Sequence, residues 1–328
     1  MSKNPRREID IKDLKVAFGD FYALKGVSFY ANKKEFLGII GASGAGKTTV
    51  LRVLTGQINP TDGQAWVGGY DVTKKRDLIS LLVGYVPQLE HLSLYYDFTP
   101  IQNAKFFGRC FGMRPKEIEE RAREVLGILG FDEDLITKRV NRLSGGERKR
   151  VSICLGMIHR PPVLLLDEPT TGLDAHLRHE TLNYLKELNF ELGTTMVIIS
   201  HDLEIVDYCS RVVLLEEGLV SQFGSPEELI STLPGEGEAV RLVLPSMSAE
   251  IVERIESIPG VKYTAMAGRN TLKLFMKNPD KQMLPVIKYL NNINMPFSEL
   301  SAVEADFFDF FQVKPWKQKA EATGGGES

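Results

Sequence analysis

Short apolar runs alternate with longer amphipathic stretches from Glu8 to about Ile230. Phe36–Ile40, Val83–Val86, Val163–Leu166, Met196–Ile199 and Val212–Leu215 have the length of strands, and several are apolar at every position. Continuous apolarity of that kind is expected of strands buried on both faces of a mainly parallel sheet. Between them, Val50–Thr55, Pro115–Leu129, Glu147–His159, Leu177–Leu192 and Leu203–Cys209 read as helices. The alternation predicts a layered α/β domain.

The pattern changes at Ser231–Glu238, whose sequence STLPGEGE reads as a linker. A smaller unit follows. Ala239–Leu244 reads as a strand, and Ser248–Ser257 as a helix capped by Ser248. Val261–Met266 and Thr271–Met276 read as a hairpin, and Lys281–Asn292 as a helix. A strand near Pro296–Leu300 and a helix over Val303–Gln312 complete the unit. The order βαββαβ predicts a ferredoxin-like α+β domain. The expected organisation is therefore 1–230, a linker at 231–238, an accessory domain at 239–313 and a disordered tail at 314–328. No apolar run approaches the roughly 20 residues of a spanning helix, so any membrane role is expected to pass through a partner. Met1–Asp10 is polar and charged, and no secretory signal is expected there.

Composition narrows the class. Among 328 residues, 43% are hydrophobic and 25% charged, and the formal net charge is −3. That balance fits a globular protein and points away from nucleic acid and from a polybasic anchor. Cys110, Cys154 and Cys209 form no Cys-x-x-Cys pair, so neither a disulfide framework nor a zinc site is indicated, and a reducing compartment fits best.

Three segments carry candidate chemistry. Gly41-Ala42-Ser43-Gly44-Ala45-Gly46-Lys47-Thr48 fits G-x-x-x-x-G-K-[ST] between an expected strand and an expected helix, the context the motif requires. Glycines allow backbone N–H groups to curl around phosphate oxygens, and the helix start adds a favourable dipole. Lys47 offers charge to the β- and γ-phosphates and Thr48 a hydroxyl to Mg²⁺. Second, Val163–Leu166 leads into Asp167 and Glu168 at the carboxyl end of a buried strand, where ligands bind in open α/β sheets. Asp167 is then a Mg²⁺ ligand and Glu168 a general base, the alternative being an acidic pair that merely opens a loop. Third, Ser144-Gly145-Gly146-Glu147 is a capping box before a helix. Its glycines also make it a second anion-binding helix start, which one triphosphate has no use for unless two subunits share it.

Together these segments resemble a nucleotide-binding subunit of the ATP-binding cassette family: GASGAGKT, LSGGE and LLLDEP stand in the family's order over roughly residues 8–230. Gln88 in GYVPQ resembles the Q-loop, Thr171-Gly172-Leu173-Asp174 the D-loop, and His201 in IISHD the switch histidine. Phe18 stands where the family usually carries an adenine-stacking aromatic, more often Tyr; its π-face preserves the stacking. Tyr22 is the rival.

The resemblance implies a P-loop ATPase core with a small antiparallel β subdomain and a helical signature subdomain, using ATP and Mg²⁺. Phe18, Gly41–Thr48 and Thr49 hold the nucleotide. Ser144, Gly145, Gly146, Glu147 and Asp174 reach it across a head-to-tail dimer with a second copy or a paralogous cassette. Thr48, Gln88 and Asp167 serve the metal, and Glu168, His201 and Gln88 serve catalysis. It also implies a membrane-spanning permease docking near residues 88–114, at the cytoplasmic face of the cell membrane. Tyr95, Phe98 and Phe106 either line that groove or form ordinary core. Trp66 and Phe107 read as packing, and His176 and His179 as a solvated helix face. The competing reading, a soluble cassette ATPase of DNA repair or translation, sits poorly with a single phosphate loop and the short Gln88–Leu143 interval. A purely structural module would need a dead site, and every catalytic-type residue is present. The C-terminal unit, with IESIPGV and VEADFFDFF, resembles the extension on drug, antibiotic and polysaccharide exporter ATPases. A ferredoxin-like domain also occurs on amino-acid importers such as the methionine system, where it senses substrate.

Overall fold

The computed structural model describes residues 6–89, 93–311 and 313. Contacts divide the chain into Met1–Gly224 and Ser225–Ser328. In the first unit, β1 (Arg7–Phe18) and β2 (Phe21–Asn32) form a long hairpin, followed by β3 (Phe36–Ile40), α1 (Lys47–Leu54), β4 (Asp62–Val67), β5 (Tyr70–Asp71), α2 (Arg76–Leu82) and β6 (Val83–Val86). A helical region follows, with α3 (Pro100–Cys110), α4 (Pro115–Ile128), α5 (Glu133–Thr137) and α6 (Gly145–Gly156). Then come β7 (Val163–Asp167), α7 (Ala175–Leu192), β8 (Thr195–Ser200), β9 (Arg211–Glu216) and β10 (Leu219–Gly224).

Two sheets share one core. The antiparallel sheet has the order β2-β1-β4-β5, and the six-stranded sheet β10-β9-β3-β8-β7-β6. In the latter only β10 runs antiparallel to its neighbour. Ile9, Leu14, Val27 and Phe29 of the first sheet join Ile39, Leu165, Val197 and Val213 of the second around Val50, Val53 and Leu54 of α1. α1 is thus apolar over most of its circumference because both sheets claim it. Register then sets the site: Ile40 pairs with Ser200, and Asp167 with Ile199. The residues that follow, Gly41, His201 and Glu168, therefore leave the sheet at one end.

Two elements depart from what the local sequence pattern indicates. β1 and β2 are the longest strands yet lack clean alternation, because their pairing shifts register between Ile11 and Leu14 and again between Val16 and Ala17. Leu203–Cys209 forms a 3₁₀ helix over Leu203–Tyr208, capped by Asp202. There Cys209 N–H bonds back three residues to Val206 before the chain enters β9, leaving no room for an α-helix. None of the helices among the described residues is long and apolar enough to cross a membrane.

The second unit opens with α8 (Pro226–Ile230), then β11 (Glu238–Val243), α9 (Ala249–Glu256), β12 (Tyr263–Gly268), β13 (Thr271–Phe275), α10 (Pro279–Asn292) and β14 (Glu299–Glu304). Its sheet order, β12-β13-β11-β14, is antiparallel throughout, which is the ferredoxin-like arrangement. Val240, Leu242, Leu272 and Leu274 pack against Ile255 of α9 and Val286 and Leu290 of α10. The expected 231–238 linker is a packed turn: Leu233, Pro234 and Gly235 are buried and Glu238 is already in the sheet. The last strand lies later than Pro296–Leu300, because pairing with β11 runs unbroken from Val243↔Glu299 to Glu238↔Glu304. That ladder takes Val303 and Glu304 out of the expected final helix, which covers 307–311 instead. Gln312 and the expected tail 314–328 lie outside the described residues.

One close approach seats α6. A Cβ on Gly84 of β6 would overlap the carbonyl oxygen of Gly156, and a Cβ on Gly156 would come within 2.9 Å of Val86. We expect Gly84→Ala to destabilise the chain by about 1–3 kcal/mol, read by urea unfolding, because backbone cannot move aside for the methyl.

Candidate active site

The loop after β3 is built for close backbone approach. Gly44 and Gly46 have φ of +83° and +104°, and α1 starts at Lys47 with no side-chain cap on its first N–H groups. A Cβ on Gly46 would meet Ala23 O and Leu24 Cδ2 at 2.7 Å, so β2 closes the loop from behind. Ala45 buries its methyl in the core, while Ala42, Ser43, Gly44 and Thr48 are exposed and Thr49 is half-buried.

Lys47 is only 7% exposed. Its Nζ donates to Gly41 O at 2.7 Å and Ala42 O at 3.1 Å, and lies 3.8 Å from Glu168 Oε1. Burial pulls the amine below its ordinary range, and the charges of Glu168 and Asp167 partly offset this. The loop thus folds around its own lysine, whose charge lies beside the curled backbone.

β7 delivers Asp167 and Glu168 opposite. Asp167 is buried, which pushes its carboxyl above the usual range despite a hydrogen bond from the Tyr85 hydroxyl to Oδ2 at 3.1 Å. Asp167 Oδ1 is buried with no hydrogen-bond partner. An orphaned buried carboxylate oxygen, with the Thr48 hydroxyl exposed on the neighbouring helix start, is a donor set of hard oxygens that fits Mg²⁺. Burial and the Asp167 charge raise Tyr85 as well, so it stays a donor. Tyr85, three residues before Gln88, went unnoticed in the sequence, where it reads only as an aromatic in a buried strand.

Glu168 adopts φ +48°, a left-handed conformation uncommon for a side-chain-bearing residue. Its Oε2 lies 2.8 Å from His201 Nδ1 and accepts from the Thr171 hydroxyl at 3.1 Å. So Lys47, the adjacent Asp167 and Glu168, and His201, from three separate stretches of the chain, stand together as one cluster.

Other expected residues stand differently. The Gln88 carbonyl accepts from the fully buried Lys149 Nζ at 2.8 Å, tying this loop to α6. The Gln88 side chain is exposed, and the side-chain hydrogen bond Asp167 accepts comes from Tyr85. Phe18 is 52% exposed at the hairpin tip beside exposed Phe21 and Tyr22. Ser144 caps α6: its Oγ accepts from Glu147 N at 3.2 Å, and Glu147 Oε2 accepts from Ser144 N at 2.6 Å. The Ser144 hydroxyl keeps its proton to donate. Asp174 caps α7, accepting from Leu177 N at 3.0 Å. His179 Nδ1 meets the Tyr208 hydroxyl at 3.0 Å. Trp66 is buried, and Tyr95, Phe98, Phe106 and Phe107 form one partly exposed aromatic cluster.

Comparison with known proteins fits this geometry. Residues 24–171 match the model of the ABC transporter family. The linearmycin resistance ATP-binding protein LnrL of Bacillus subtilis is 32% identical over 254 residues, 77% of this chain and 80% of LnrL. Nod factor export ATP-binding protein I of a Rhizobium species is 36% identical over 223 residues, 68% of this chain and 72% of that protein. The spermidine/putrescine import ATP-binding protein PotA of Legionella pneumophila is 35% identical over 229 residues, 68% of this chain and 61% of PotA. The dimeric cassette MJ0796, solved in a post-hydrolysis state bound to ADP and Pi, superposes with a TM-score of 0.58 at 28% identity, over 66% of this chain and 98% of that one. The chain belongs to the ATP-binding cassette transporter family. It is an ATPase subunit of a transporter, taking ATP with Mg²⁺ and yielding ADP and phosphate.

Burial sets a testable cost. Because Asp167 holds its proton more tightly in the folded chain, its contribution to stability is lost as pH rises from the usual carboxylate range through the raised value. At neutral pH the ionised group is therefore a liability without a cation. We expect Asp167→Asn to raise the melting temperature of the nucleotide-free chain at pH 7.5 and to abolish the further rise on adding Mg²⁺ and ATP, both read by thermal melting.

Proposed function

We propose that the chain energises an exporter, working as a head-to-tail dimer in which each ATP is held by Gly41–Thr49 of one subunit and covered by Ser144–Glu147 of the other. The observation that carries the ATPase roles is the convergence of Lys47, Glu168 and His201 within hydrogen-bonding or ion-pairing reach. Glu168 accepts a proton from the water that attacks the γ-phosphorus, and the bond to the ADP oxygen breaks in line. Lys47 turns from its loop carbonyls to the β- and γ-phosphates. His201, released from Glu168, orients the γ-phosphate and the water. Thr48 and Asp167, with Gln88, would hold Mg²⁺, which would supply positive charge against the phosphate oxygens. Phe18 stacks on adenine, and Asp174 communicates across the dimer.

Export is favoured by the likeness of the C-terminal unit, read as an accessory domain over 239–313, to exporter extensions in its IESIPGV and VEADFFDFF stretches, together with relatives named for resistance and export. Import is the second reading, supported by a relative named for it. The permease docks near residues 88–114, where the half-exposed aromatics Tyr95, Phe98 and Phe106 offer an apolar surface at the cytoplasmic face of the membrane. Residues 90–92 of that stretch lie outside the described residues. Co-purification with a multispanning protein, and ATP-driven accumulation of its substrate in inside-out vesicles, is the expected result; accumulation only in right-side-out vesicles means import.

Glu168→Gln keeps shape and loses the base. We expect steady-state turnover to fall by at least about 100-fold, with ATP affinity retained and an ATP-dependent dimer seen by size-exclusion chromatography. Normal turnover would remove Glu168 from its role.

A further inference from the structure

His201 is more than half exposed, and Glu168 is its hydrogen-bond partner. An exposed imidazole with one such contact is aimed chiefly by its own backbone, so what holds that backbone matters. On one side, Ser200 ends the buried strand β8. On the other, Asp202 is held three ways. Its N–H donates to Ser200 Oγ at 2.9 Å, and its Oδ1 accepts from Glu204 N at 3.0 Å. Its Oδ2 lies 2.6 Å from Nη1 of Arg178, which also donates to Glu204 Oε2 at 3.0 Å.

Arg178 stands one turn into α7, its N–H bonded to Asp174 O at 2.9 Å. A closed circuit results. Glu168 leads through the turn in which Thr171 N–H bonds back to Glu168 O and Leu173 N–H to Thr170 O, then to Asp174 and α7. From Arg178 it crosses to Asp202, then His201, then back to Glu168. The circuit borders a partly open pocket of about 100 Å³ lined by Thr170, Thr171, Arg178, Ser200, His201 and Asp202. Arg178 keeps its buried Nε without a hydrogen-bond partner, an arrangement that general stability does not favour. A quarter-exposed ion pair of this kind adds little to folding.

We propose that Arg178 is a positioning residue for ATP hydrolysis: through Asp202 and Glu204 it fixes the main chain that carries His201, and it ties His201 to the start of α7 capped by Asp174. Loss of Arg178 lets His201 drift from the γ-phosphate without touching the loop that binds the nucleotide. The contact of His179 with Tyr208 remains to hold α7 against the 203–208 turn. The inference rests on the roles of Glu168 and His201 proposed above.

The test uses the purified full-length chain with Mg²⁺ and ATP. Arg178→Ala should lower kcat about tenfold with KM for ATP changed by no more than about twofold and the melting temperature little altered. Arg178→Lys keeps the charge without the fork and should recover turnover to within about threefold of wild type. Asp202→Asn retains a capping side chain and should reproduce the Arg178→Ala loss. The double variant should be slower than either single variant by no more than about twofold. His201→Ala, run alongside, separates the two levels. Wild-type turnover by it would remove His201 from its role and this inference with it. A slow His201→Ala beside unimpaired Arg178→Ala and Asp202→Asn would overturn the positioning role alone, as would multiplicative losses in the double variant or a change confined to KM.

Discussion

Three charges, two carboxylates at the end of buried β7 and an amine at the start of α1, govern the rest of this structure. Strands buried on both faces deliver their carboxyl ends into a partly dry crevice, and register forces Lys47, Asp167 and Glu168 into it together. Charge taken out of water must find compensation. Each finds some within the chain: Lys47 in two loop carbonyls, Asp167 in the Tyr85 hydroxyl, Glu168 in His201 and Thr171. The compensation is incomplete, and it is incomplete where a triphosphate and a divalent cation would complete it. Asp167 Oδ1 has no partner, and the amine of Lys47 is pulled below its ordinary range.

The same constraint explains why the proposed catalytic residues contact one another. Glu168 is held in a left-handed backbone conformation with its carboxylate on His201. For Glu168 to take a proton from water and His201 to face a phosphate, that contact must give way. Binding energy from the nucleotide and from whatever covers it is then directed to reorganising the cluster. Ser144 is exposed at the start of α6, which is already capped within its own chain, and its hydroxyl has a proton still to donate. In the proposed head-to-tail dimer a second subunit supplies that helix start as the cover; MJ0796 among the solved relatives is a dimer.

Much of this was legible in the sequence, for identifiable reasons. Strands apolar at every position, Phe36–Ile40 and Val83–Val86, have the expected ends because both faces are buried. Ser248 caps α9 as its position before the amphipathic run indicates. The β1–β2 hairpin was illegible because its register shifts break alternation, and β14 because a ladder with β11, rather than local propensity, sets its ends. In the site, the phosphate loop and the Asp167–Glu168 pair are contiguous motifs. The Tyr85–Asp167 and Arg178–Asp202 contacts join residues far apart in the chain, and no local pattern announces them. For Phe18 and Gln88, whose side chains are exposed, family resemblance carries the assignment.

In the proposed dimer the Gly41–Thr48 loop is half a site. Lys47→Ala spoils the loop and leaves the α6 start intact, whereas Ser144→Arg does the reverse. Each variant alone should be nearly inactive. Mixed in equal amounts and allowed to exchange subunits, half of the dimers should carry one intact site assembled from both chains, so turnover should return to about a quarter of wild type. A mixture as inactive as its components would contradict a site shared between subunits.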